Sequence, residues 1–250
     1  MSRKFLCVVG ALCALAGGLS AQLVGPSTSS PCYVVPSAGL PPGAVETVAL
    51  LTVGDSIGGY RLVGIPDGMG GFFAPDGAAT VLVNHELSGN AGIVRPHGSK
   101  GAFVSRWTID PVTKAVVSGR DHNTSSSTVH PYDRTTNVWT TGTFQWERFC
   151  SADLAPPTAF FHYGLGTTAR IFLNGEETGP NPRDGYAWAH VVSGPGFNHS
   201  WELPHMGQCA FENVVASPFP QNKTIVALCD DSDAQTNPAL TNSPSELYFY

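Results

Sequence analysis

Short apolar runs separated by Gly, Pro, Asn and Asp set the rhythm of this chain. The runs are Val45–Val53, Tyr60–Ile65, Ala79–Asn84, Ala102–Ile109, Ala115–Ser118, Ala169–Asn174, Tyr186–Val192, Ser200–Leu203, Thr224–Cys229 and Glu246–Tyr250. They are rich in Val, Ile, Leu and aromatic residues, which suit a pleated, half-buried surface. Helical periodicity is nearly absent after residue 21. Asp76-Gly77 and Asp184-Gly185 sit between runs and read as hairpin turns. The 28 glycines and 20 prolines in 250 residues supply many more turns. The pattern predicts an all-β protein, and a propeller, a sandwich or a barrel would each produce it. Residues 22–44 are Pro- and Ser-rich and read as an extended lead-in. Residues 120–143 and 232–244 read as long polar loops. The chain stops inside the strand-like Ser245–Tyr250 run, so the domain from residue 45 to 250 is expected to be truncated at its C-terminus, with a strand edge exposed.

The first 21 residues form a separate element. Arg3 and Lys4 precede an apolar stretch, Phe5 to Leu15, and Leu19-Ser20-Ala21 offers a small-residue cleavage site. That is a signal peptide, too short and Gly-rich for an anchor. The expectation is an exported protein, periplasmic or extracellular, with no membrane span. Cleavage removes two positive charges and no negative ones, taking the net charge from −6 to −8. Nucleic acid is a poor partner for such a chain, because phosphate contacts need clustered Lys and Arg. An acidic surface also repels a phosphorylated substrate unless bound cations reverse the local field. Cys32, Cys150, Cys209 and Cys229 remain after cleavage. An even count in an exported protein suggests disulfides, with Cys209–Cys229 a candidate pair. Without any CxxC, a zinc ribbon is excluded.

Chemistry concentrates where apolar runs end. Glu86 closes Val83-Asn-His-Glu86. Glu176 and Glu177 follow Ile171-Phe-Leu173. Glu212 sits in Phe211-Glu-Asn213, and Asp230 and Asp231 follow Ile225–Cys229. Taken singly, Glu86 reads more readily as a hydrogen-bonded strand end, Glu176-Glu177 and Asp230-Asp231 also read as solvated acidic turns, and Glu212 as a partner for Arg148, Arg170 or Arg183. Gathered into one cavity, their oxygens would bind a hard cation. Adjacent carboxylates such as Glu176 and Glu177 repel and would point to opposite faces of a strand. The acidic run after Cys229 lacks the spacing and glycine of an EF-hand. Cys150, in Arg148-Phe-Cys-Ser-Ala-Asp153, reads as a disulfide partner, an apolar filler or a thiolate metal ligand. There is no G-x-S-x-G elbow and no HExxH pair.

Several segments in order along the chain resemble the PhoX-like family of secreted alkaline phosphatases and their exported relatives. They are Gly64-Ile-Pro-Asp-Gly-Met-Gly70, Val83-Asn-His-Glu86, Gly101-Ala-Phe-Val-Ser-Arg-Trp107, Arg148–Leu154, Gly166-Thr167 leading to Asn174-Gly-Glu-Glu177, Phe211-Glu-Asn213 and Asp230-Asp231. The resemblance implies a β-propeller, incomplete in this chain, whose channel holds calcium and iron. It implies metal ligands at Glu86, Cys150, Glu176, Glu177, Glu212, Asp230 and Asp231, with Cys150 matching the iron-ligating cysteine. The chain departs from the phosphatases at Leu165-Gly166-Thr167 in place of Trp-Gly-Thr, at Gly175 before the two glutamates, and at Phe211 before Glu212. These departures bear on the iron ligands more than on the calcium ligands.

The function expected from these residues and this resemblance is a metal-dependent phosphoester hydrolase acting on a phosphorylated small molecule. Cations would clamp the phosphate and activate water, with Arg148 and Arg170 contacting the phosphate. The alternative is a non-enzymatic exported propeller that binds calcium for rigidity and presents loops to a glycan or protein partner. A metal-free scaffold of disulfides and hydrogen-bonded carboxylates is a third reading.

Overall fold

A computed structural model describes residues 22–41, 43–179, 185–231 and 246–250. The expected signal peptide, Arg183, Asp184 and the expected 232–244 loop lie outside the described residues. The fold is all-β, and each of the ten apolar runs carries a strand. The principal strands are β1 (Pro66–Phe73), β2 (Ala79–His85), β3 (Phe103–Ile109), β4 (Val116–Asp121), β5 (Val129–His130), β6 (Phe149–Asp153), β7 (Arg170–Glu176), β8 (Ala187–Ser193), β9 (Ser200–Glu202), β10 (Phe211–Ala216), β11 (Val226–Asp230) and β12 (Leu247–Phe249).

They form three main sheets. β1 to β4 make an antiparallel meander in chain order. The second sheet runs β6-β7-β8-β9-β5, antiparallel except where β5 joins β9 in parallel. β10, β11 and β12 form a third meander. Among the described residues these are open ladders, and no closed barrel or propeller ring is identified. The lead-in contributes a short strand, Gln22–Val24, pairing in parallel with Thr47–Ala49. The expected 120–143 loop is broken up by a 3-10 turn, β5 and the small hairpin of Tyr132–Asp133 with Val138–Trp139.

Period-two alternation sorts side chains between the cores. On β2, Leu82 enters a core with Val104, Phe149, Phe172 and Trp188, while Val83 enters a second with Trp107, Ile109 and Val116. On β7, Phe172 faces the first of these, and Leu173 faces a third with Phe211, Val214 and Leu228. β7 is therefore buried on both faces, and its apolar run is continuous for that reason. Burying a side chain such as Phe172 completely contributes about 2 kcal/mol.

Four principal strands, β1, β5, β6 and β10, lie outside the apolar runs. β1 is rich in glycine, and its glycines make room for β6. A Cβ at Gly68 would collide with the backbone of Ser151 and Ala152, and one at Gly70 with Leu154. β10 carries Glu212 and Asn213 inside a strand expected only as an acidic strand end.

A polar seam crosses the interior. Asn84 donates to the Cys150 carbonyl at 2.6 Å and accepts from Asn174 at 2.8 Å. Asn174 Oδ1 lies 2.9 Å from His190 Nε2, and His190 Nδ1 lies 2.7 Å from Ser200 Oγ. Ser200 in turn donates to Asn123 at 3.0 Å. Buried polar groups need such partners, and this seam ties the first sheet to the second.

Candidate metal site

Three strands carry a register irregularity near one point. β1 shifts between Pro66 and Met69, β6 between Phe149 and Ala152, and β10 between Phe211 and Asn213. Asp67, Cys150 and Glu212 each lie inside one of these shifts. A bulge re-aims a side chain that strict alternation would send elsewhere. Cys150 Sγ lies 3.6 Å from Glu212 Oε2 and 3.7 Å from Asp67 Oδ2. The ligand atoms of Cys150, Glu177 and Glu212 all lie within 4.8 Å of one another. Ser151 locks the arrangement by donating its hydroxyl to the Glu212 carbonyl.

Arg148 closes the rim. Its Nε and Nη2 donate to Glu86 Oε1 at 3.0 and 2.8 Å, and Nη2 donates to Glu177 Oε1 at 2.7 Å. Its backbone adopts φ of +41°, the left-handed region. Two main-chain hydrogen bonds hold it there: its N–H to Leu87 O and its carbonyl from Glu177 N–H, both 2.9 Å. A disfavoured conformation this firmly held is typical of a functional position.

The electrostatics are those of crowded acids. Burial pushes the Cys150 thiol well above its ordinary range, and the charges of Asp67 and Glu212 push it further. Burial also raises Asp67, with Glu86 adding to it. Glu177 is raised by burial against the pull of Arg148. Without a cation the thiol stays protonated; a cation would relieve all three groups together. A thiol among carboxylates suits iron or another transition ion at the sulfur, while calcium would take oxygens only.

Not every expected ligand joins this group. Glu176 is fully buried and points the other way, accepting the backbone N–H of Glu147 at 2.9 Å and of Tyr186 at 3.1 Å. Asp230 closes β11 opposite Phe211, and Asp231 is exposed with its N–H bonded to Ala210 O. Neither belongs to the Cys150 group. Arg170 begins β7, whose other end leads to Glu177, so it is remote from Arg148. Asn84 and His85 belong to the buried part of β2, where His85 bonds Ser105 and the Val63 carbonyl. Asp67 was not among the expected ligands; its one signal was its place in Gly64–Gly70. Cys150 and Cys229 are free thiols, so the expected Cys209–Cys229 bridge is not formed. Among the described residues no helix is long and apolar enough to cross a membrane.

Comparison with protein-family models, curated proteins and solved structures finds no match.

Proposed function

We propose that this chain is part of an exported, PhoX-like, metal-dependent phosphoester hydrolase built on a β-propeller, with its metal site at Cys150. One observation carries the reading: a thiol and two carboxylates, from β6, β10 and the residue just past β7, bring ligand atoms within 4.8 Å of one another, with a third carboxylate beside them. Cys150, Glu177, Glu212 and Asp67 would hold iron, calcium or both. A bound cation supplies charge neutralisation at a phosphoryl group and makes water a better nucleophile. The chain's own part is positioning. The bulges aim the ligands, the seam through Asn84 fixes the Cys150 backbone, and the half-exposed Arg148 stands at the rim where a phosphate oxygen would arrive.

The Arg148 bridge also favours a second reading. Arg148 is occupied by Glu86 and Glu177 rather than held free for a phosphate, as in a propeller that binds calcium only for rigidity. Elemental analysis of the purified full chain separates the two, together with turnover of 4-nitrophenyl phosphate before and after chelation. Iron with calcium, and turnover lost in chelator, supports the hydrolase. Calcium alone without turnover supports the structural role. A metal-free protein whose stability ignores chelator removes both.

A further inference from the structure

A ladder of arginines and phenylalanines runs from Arg170 at the start of β7, past Phe72 near the end of β1, to Arg106 in the middle of β3 and Arg120 on β4. Arg170 stacks over Phe72, its guanidinium carbon 4.8 Å from the ring centre. Arg106 lies 5.6 Å from Phe72 and 5.2 Å from Phe197, and Arg120 lies 5.6 Å from Phe197. Phe72 is five residues beyond Asp67 on β1, so strand rise sets the Phe72 end of the ladder about 17 Å from the acidic cluster.

Arg106 and Arg120 are direct cross-strand partners on one face of the first sheet. Like charges in that relation repel. Among the described residues the ion-paired arginines are Arg95, Arg134 and Arg148. Among the described residues, Arg106, Arg120 and Arg170 have no carboxylate within pairing distance. Their hydrogen bonds go to neutral acceptors. Arg106 donates to Val192 O at 2.8 Å and Thr80 Oγ1 at 3.4 Å, and Arg120 to Asp121 O and Asn198 Oδ1, both at 3.3 Å. A guanidinium has five N–H donors, so both retain capacity. Burial lowers the pKa of each, and the Arg120 charge lowers Arg106 further. Behind Phe197 lies His122, fully buried, with neither ring nitrogen hydrogen-bonded. In a chain of net charge −6, three half-buried cations left without carboxylates are a cost that a bound anion would offset.

We propose that Arg106 and Arg120, flanked by Arg170, form a binding site for a tetrahedral dianion, a phosphate or sulfate group. Phe72 and Phe197 hold the guanidiniums flat, leaving their N–H edges toward the ligand. The site requires no metal, so its failure would leave the Cys150 reading untouched, and the reverse is equally true.

The test uses the full chain in the presence of chelator, with inorganic phosphate and inorganic sulfate as probes. Either anion should raise the unfolding midpoint above that in acetate or chloride at equal ionic strength. The ratio of phosphate to sulfate affinity distinguishes a phosphoester-type from a sulfate-ester-type ligand. Arg106→Gln and Arg120→Gln should each weaken binding by roughly tenfold or more, as loss of a charge-assisted hydrogen bond implies. Should either ladder variant fail to fold, phenylglyoxal labelling of the unaltered chain replaces it: phosphate should protect Arg106 and Arg120, read by peptide mapping. An equal shift in acetate, binding retained in both variants, or no protection would overturn the proposal.

Discussion

Glu176 and Glu177 are identical neighbours with opposite roles. Their separation follows from strand alternation, which was expected; which of them would meet Cys150 was not. Glu176 holds two backbone amides in the interior, so Glu176→Gln should destabilise the fold by about 1–3 kcal/mol, read by urea unfolding. Glu177→Gln should change stability by less than about 1 kcal/mol but lower metal content. The opposite pattern would place the metal elsewhere. The histidines add a pH dependence. Burial, reinforced by Arg95, lowers His85 and His97 to about 4, and burial with the nearby Arg120 and Arg106 lowers His122 to about 3. These groups fold neutral and prefer to be charged when unfolded. Their contribution is fully present above the unfolded value near 6.5 and is lost as pH falls through the folded values. Asp121 and Asp153, raised by burial, soften the fall in the carboxylate range. The unfolding free energy should drop between about pH 6.5 and 4, by up to roughly 3 kcal/mol per histidine. A flat profile there would mean that these rings are solvated.

Elements with continuous apolar runs were legible; elements with interruptions were not. β2, β3, β7 and β8 announce themselves because both or nearly all of their faces are buried. β1 and β10 do not, since glycine and acidic residues break their runs. Those interruptions are where the candidate site is built. Gly68 lets β1 approach β6, and Gly175 lets β7 approach Phe211 on β10. Gly68→Ala and Gly175→Ala should each destabilise by about 1–3 kcal/mol, because backbone or ring must move. Gly→Ala at an open position would instead stabilise slightly. A neutral result by thermal unfolding at both sites would show that the sheets are less closely apposed.

Across the whole molecule, the buried seam from Asn84 to Asn123 couples the cores to the site. Asn174→Leu removes partners from both Asn84 and His190. It should cost about 2 kcal/mol or more in unfolding free energy and also weaken metal binding, since Asn84 holds the Cys150 carbonyl. Stability lost with metal affinity unchanged would uncouple seam from site. The fold further keeps the acids Asp67, Glu86, Glu177 and Glu212 apart from a second, basic group, Arg106, Arg120 and Arg170, strung along Phe72 and Phe197. The amino-acid order by itself determined that the chain is all-β, where most strands run, and that acidic residues and Cys150 fall at strand boundaries, because alternation and turn chemistry are local. Only the tertiary structure decided which acids meet, that Asp67 joins them while Glu176, Asp230 and Asp231 stand apart, and that three arginines lie together with no ion pair among the described residues. Bulges and close sheet contacts set those distances, and both depend on residues far apart in the chain.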